Sequence, residues 1–293
     1  MESWSKGGTM RTELYTLVFA EAMLLGGCAQ VIGIEDLPPL VDAATSGDDR
    51  RLRDAGIPDA AAGFPDGASP DASPDAGEGE VDLERGLAGH WPLDEIESGS
   101  GGNTTPDHTD NRFDGEVDGT SVVAGQVGMA LRFDGSDDSV RIGNRPELDI
   151  AGPITLSAWG RPAVLDQNTR NIVAHGSTSS PRREVFLRLS NEQYQGGSWD
   201  GADHKAVSAI PANDLGGWIH LATVYDGQDW VLYRNGTEVG REPSPTGAVT
   251  VDESWFIGDR LSESDRFFDG DIDDVRIYDR ALSPAEVRAL ATP

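Results

Sequence analysis

An all-β fold, an antiparallel two-sheet sandwich or jelly roll, is what this sequence predicts. Three observations carry that prediction. Short apolar, β-rich segments recur from about residue 83 onward, Gly and Asp turn residues separate them, and no amphipathic run of helical length occurs before the C-terminus. The clearest block is residues 218–240, WIHLATVYDGQDWVLYRNGTEVG. Residues 218–225 run apolar into Asp226-Gly227, and 229–234 alternate, with Trp230, Leu232 and Arg234 opposite in phase to Val231 and Tyr233. Asn235-Gly236 then supplies the two positive-φ residues of a type I′ turn, so 237–240 returns antiparallel.

The other strands follow in order. Residues 86–93 read as the first strand and 115–119 as a short second one. Residues 128–133 and 139–142 flank an acidic turn at 134–138. Residues 154–159, 171–175, 185–189, 194–199 and 205–210 continue the series up to the three-strand block, and 254–257 and 270–278 complete it. Trp159, Trp218 and Trp230 sit in phase with Val, Ile and Leu neighbours and are assigned to the core. A short helix ends the chain. Ser283 is its N-cap, Pro284 takes N1 and Glu286 takes N3, which makes a capping box, with Leu282 and Val287 as hydrophobic staple.

Charge and composition narrow the function. The chain carries 51 acidic and 23 basic residues, a net charge of -28. Such a chain is repelled by nucleic-acid phosphates and by anionic lipid, so no nucleic-acid partner is expected. Solubility in a cation-rich medium and cation binding by some of the carboxylates both fit the excess. A single cysteine rules out an intrachain disulfide.

The N-terminal third differs from the rest. Residues 14–25, LYTLVFAEAMLL, have the length of a signal h-region, with Arg11 and Lys6 before them. Leu25-Gly26-Gly27-Cys28 follows and resembles the lipobox of bacterial lipoproteins, although Glu13 and Glu21 are unusual in such a context. The resemblance implies that residues 1–28 are a signal peptide and that Cys28 becomes the lipidated first residue. It also implies a place in the bacterial cell envelope, as an outer-membrane lipoprotein facing the periplasm or the exterior, touching the membrane through the lipid anchor only. A buried thiol closing a short helix is the other reading of Cys28. Residues 29–82 repeat Pro-Asp-Ala and Pro-Asp-Gly, at Pro58, Pro65, Pro70 and Pro74. They lack the apolar surface needed to offset ordering entropy and read as a disordered, extended tether.

Within residues 83–293, four blocks resemble one family. ALRFDGSDDSVRIG (130–143), ITLSAWGRP (154–162), WIHLATVYDGQDWVLYRNG (218–236) and DGDIDDVRIYDRALSPAEVRAL (269–290) are similar to the laminin-G-like jelly roll of the concanavalin A-like lectin/glucanase superfamily. The resemblance implies two antiparallel sheets, one of them concave. It further implies a non-catalytic module on a surface protein, with an extracellular carbohydrate or protein as partner. Hydrolases of that superfamily place two carboxylates on one strand in a Glu-x-Asp-x-x-Glu pattern. No such run is present, and none of the five histidines stands beside a Ser or Cys in a motif. His220, out of phase with Ile219 and Leu221, is expected at an exposed or edge position. A divergent polysaccharide hydrolase or lyase, and a purely structural envelope protein, are the competing readings.

Two acidic loops, 134–138 and 269–274, suit the hard oxygen ligands of Ca2+, or else form Asx-turns that cap strands. By resemblance, a structural calcium site falls on Asp273 in the last strand, with backbone carbonyls near Gly135 and Trp91. For a sugar, aromatic platforms flanked by polar groups are sought. The candidates are Tyr194 and Trp199, with His204 and Arg183 beside them; a core position is the alternative for Trp199.

Overall fold

The computed structural model describes residues 80–176, 181–260 and 266–293. Cys28, the signal peptide and nearly all of the tether lie outside those residues. In chain order the first strands are β1 (Leu87–Trp91), β2 (Glu97–Gly99), β3 (Gly102–Thr105), β4 (Gly115–Asp118), β5 (Ser121–Ala124) and β6 (Met129–Asp134). Then come β7 (Ser139–Gly143), β8 (Ile154–Pro162), β9 (Arg170–Gly176), β10 (Glu184–Ser190), β11 (Gln193–Trp199) and β12 (Asp203–Ala209). The series closes with β13 (Ile219–Tyr225), β14 (Asp229–Arg234), β15 (Thr237–Pro243), β16 (Trp255–Ile257), β17 (Asp269–Tyr278) and the helix α1 (Pro284–Leu290).

Two antiparallel sheets result. The eight-stranded sheet runs β15-β14-β13-β8-β17-β6-β5, with β1 also paired to β17. The nine-stranded sheet runs β12-β11-β10-β9-β16-β7-β4-β3-β2. Strands far apart in sequence lie side by side, β8 between β13 and β17 and β16 between β9 and β7, so the sandwich is closed by long-range pairing. Alternation explains why the sheets stack. Leu156, Ala158, Leu221, Leu232 and Ile272 from one sheet meet Ile142, Ile172, Val185, Leu187 and Ile257 from the other in a single buried cluster.

The predicted hairpin turn is present, with Asn235 at φ 49 and Gly236 at φ 74. The helix is capped as expected: the Glu286 amide donates to Ser283 Oγ, and the Ser283 amide donates to Glu286 Oε2. Val287 and Leu290 pack with Leu282, Ala222, Val224, Val231 and Tyr233, on the face of the eight-stranded sheet turned away from the sandwich core.

Three strands escaped the sequence reading. β2 and β3 (ESG and GNTT) lack apolar alternation, and β5 lies at the edge of its sheet. Two side-chain placements also differ. His220 is buried, because β13 has β8 and β14 on its two sides and Trp159 packs edge-on against the imidazole. Trp218 is only half-buried, with the Arg161 guanidinium 5.0 Å above its ring, since it precedes β13 instead of entering it.

Candidate functional site

A cavity rich in charged side chains lies on the side of the nine-stranded sheet turned away from the core. On β10, Val185, Leu187 and Leu189 point into the core while Glu184, Arg188 and Ser190 line the cavity. On β11 and β12 the same alternation sends Tyr194 and Ala206 inward and Gln195, Trp199, Asp203 and Lys205 outward. Register sets these in rows. Arg188 stands opposite Gln195, and Glu184 stands opposite Trp199, which stands opposite Asp203. Arg260 and Arg266, from the chain between β16 and β17, close the cavity at about 340 Å³, a size suited to one or two small rings. Gly176 pairs with Glu184; a Cβ there would sit 2.7 Å from Arg260 Cδ, so the missing side chain is what lets Arg260 lie across the strand.

Arginines converge on one carboxylate. Arg266 Nη1 donates to both Glu184 oxygens at 2.9 and 3.0 Å, Arg188 Nη1 donates at 3.4 Å, and Arg260 Nη1 lies 3.7 Å away. The Arg188 guanidinium also stacks 3.6 Å from the centroid of Phe186 and donates through Nε to Gln195 Oε1 at 3.2 Å. Burial draws the Arg188 pKa down to about 10 against the pull of Glu184, and burial lowers that of Arg260 as well. The Nε of Arg260 is buried with no hydrogen-bond partner.

The expected ligand residues divide. Trp199 and Arg183 line the cavity. Tyr194 does not, and this corrects the expectation. It is fully buried between the sheets and its hydroxyl donates to Asp214, which also accepts from Arg234. His204 faces the opposite side of β12 from Asp203 and Lys205; its imidazole contacts Asp200 Oδ1 at 3.0 Å and Ser244 Oγ at 3.1 Å, and it does not line the cavity.

The residues expected to hold calcium fall in two separate places. Asp273 is buried, its Oδ2 accepts from the amides of Gln126 (2.7 Å) and Val127 (2.8 Å), and its Oδ1 has no partner. Burial raises its pKa to about 6, and the neighbouring charges of Asp274 and Asp94 push the same way. A buried, unpartnered carboxylate oxygen beside further carboxylates fits a hard cation. Trp91 lies nearby, paired with Val275. Gly135 is a correction: Asp134 pairs with Asp269, four residues before Asp273, which separates the two by roughly 13 Å along β17. In that other acidic loop, carboxylate oxygens of Asp134, Asp137 and Asp138 come within 4.8 Å of one another. Oxygens of Asp134 and Asp138 accept amides of the same loop, as Asx-turns do.

One pair resembles catalytic machinery. Ser157 Oγ and His220 Nε2 are 2.9 Å apart, although nothing in the sequence joins them. Both are closed off from solvent, and burial lowers the His220 pKa to about 4. His220 Nδ1 has no hydrogen-bond partner, so no carboxylate orients the ring.

Sequence reasoning missed Glu184, Arg188, Arg260 and Arg266. Glu184 and Arg188 share the phase of one strand, a signal that alternation could have shown. For Arg260 and Arg266 no local signal exists, because only the fold returns them to β10.

Comparison with known proteins agrees with this architecture. A laminin G profile, described as the concanavalin A-like lectin/glucanases superfamily, matches residues 134–288. The chain belongs to the concanavalin A-like lectin/glucanase superfamily. Among solved members of similar fold is domain 4 of an extracellular arabinanase from Geobacillus stearothermophilus, in complex with arabinotriose. It is 28% identical, with 70% of this chain and 98% of that one covered and a TM-score of 0.51. A Trypanosoma rangeli sialidase is 18% identical at a TM-score of 0.53, covering 76% of this chain and 35% of the enzyme. The binding domain of botulinum neurotoxin serotype D, in complex with N-acetylneuraminic acid, is 13% identical at a TM-score of 0.53, covering 70% and 50%. These last two share the fold. No curated protein gives a significant match.

Proposed function

We propose that this superfamily member is a non-catalytic glycan-binding module whose ligand seats in the cavity beside Trp199. The observation that carries the reading is the cavity itself: a half-exposed indole flanked by Gln195, Asn191, Ser190 and charged side chains on a rigid sheet. That is the apolar platform with convergent polar groups that a sugar ring needs. The arabinotriose-bound domain, which the chain matches over nearly all of that domain's length, supports the same class of ligand.

The cavity is poorly equipped for hydrolysis. Glycosidases need two carboxyl groups flanking the bond, one of them able to give a proton. Here the two lining carboxylates are Glu184, which accepts from Arg266 and Arg188, and Asp203, whose Oδ2 is ion-paired with Lys205 at 3.0 Å. A lipidated Cys28 and a tether over residues 29–82 hold the module in the cell envelope. Mass spectrometry of the mature N-terminus tests that anchor, and an unmodified Cys28 within an intact leader ends it.

The binding reading is tested with a glycan array and a reducing-sugar assay on the full chain. Binding without product release is expected, with Trp199→Ala weakening it about tenfold through loss of stacking. Release of reducing ends, or a blank array, overturns it.

A further inference from the structure

The cavity carries the sign of charge opposite to its chain. Of the 23 basic residues in a chain with 51 acidic ones, six line this one cavity: Arg182, Arg183, Arg188, Lys205, Arg260 and Arg266. Against them stand Glu184 and Asp203, so the lining has a formal charge of +4 (six minus two). Even when Asp259, whose charge is felt at Arg260, is included, +3 remains. Balancing the overall charge does not require such clustering, because charges farther apart than roughly 10 Å are screened at ordinary ionic strength. Gathering cations where they are partly desolvated is costly unless an anion joins them.

We propose that this cavity is a receptor for the anionic group of an acidic glycan, a carboxylate or sulfate held by Arg188, Arg260 and Arg266 with Lys205 at the rim. The inference rests on the glycan-binding reading and names its ligand class. Three arginines share one protein carboxylate, Glu184, so they have positive charge in excess. Arg260 Nε is a buried donor with no acceptor, which a ligand oxygen would supply. Guanidinium groups match the paired oxygens of a carboxylate or sulfate by geometry as well as charge. Stacking on Phe186 and the bond to Gln195 hold Arg188 in place before any ligand arrives, so little ordering entropy is lost on binding. Trp199, directly opposite Glu184, puts a ring platform beside the charged group.

The test is calorimetric titration of the full chain with matched acidic and neutral probes. Trigalacturonate is set against its methyl ester, sialyllactose against lactose, and a sulfated galacto-oligosaccharide against its desulfated form, with arabinotriose as a further neutral probe. At least one acidic probe is expected to bind about tenfold or more tightly than its neutral partner, and which one does so separates carboxylate from sulfate. Its affinity should fall about tenfold as NaCl rises from about 50 to about 500 mM. Arg266→Gln and, independently, the rim substitution Lys205→Gln should each weaken the acidic probe several-fold, and by more than they weaken its neutral partner. Neutral probes binding as tightly as acidic ones, independent of salt, would overturn the anionic inference and leave the glycan-binding reading intact. Acidic binding indifferent to both substitutions also overturns it. Absence of binding by every probe removes the two readings together.

Discussion

Single residues in this protein show how far bonding partners outrank identity. Asp273 and Asp274 are neighbours of the same chemistry, yet the first has its pKa raised to about 6 and the second lowered. The difference lies in partners. Asp274 has His90 and Arg276, whereas Asp273 has two amides on one oxygen and nothing on the other. A hard cation would complete Asp273, so Ca2+ at millimolar concentration is expected to raise the melting temperature, by RT ln(1 + [L]/Kd). Asp273→Asn should abolish the rise, as read by differential scanning calorimetry; an unchanged melting temperature in the wild-type chain rules the site out. Sequence alone pointed to Asp273 through its motif. It could not show that Gly135 belongs to the other end of the strand, because register is a property of the pair and not of either segment.

At the scale of elements, local signals were reliable wherever the chain chemistry is local. Ser283, Pro284 and Glu286 specify the start of α1 within four residues, and Asn235-Gly236 specifies the β14–β15 turn within two. Removing the cap should therefore have a measurable and modest effect: Ser283→Ala is expected to cost about 1 kcal/mol in urea unfolding, with the m-value unchanged. No loss at all would mean that packing of Val287 and Leu290 alone holds the helix. The strands that went unread, β2, β3 and β5, are those with little apolar alternation or an edge position. Strand formation there is imposed by the neighbour, and propensity carries little of it. The same reason hid Tyr194. An aromatic on a strand beside Gly196 and Gly197 looks like a platform, and only the phase of β11 against its sheet sends it inward to Asp214.

For the whole molecule, several buried groups make stability depend on pH. Burial lowers His175 and His220 from 6.5 to about 4, so each contributes stability that is present above pH 6.5 and lost as pH falls through 4. Asp273 works the other way: its contribution is present below 3.8 and lost as pH rises through about 6. A tenfold change in proton affinity on folding is worth roughly 1.4 kcal/mol, so each group amounts to about 3 kcal/mol, and two against one leaves a net loss of about 3 kcal/mol on acidification. Glu286, held at about 2 by Arg280 and Ser283 despite its burial, adds its loss only below 4.5. The melting temperature at pH 4.5 is thus expected to lie roughly 5–10 °C below that at pH 7, and a rise instead would refute this balance. What the sequence determined by itself is the all-β class, the order of most strands, the hairpin turn, the capped helix and the acidic character, since each follows from periodicity, φ preference or charge along a short stretch of chain. What only the tertiary structure decided is the site. Glu184 and Arg188 come from β10, Trp199 from β11, Lys205 from β12, and Arg260 and Arg266 from about sixty residues beyond Lys205. They become neighbours because antiparallel pairing of distant strands lays them on one face, and no segment of chain carries that information alone.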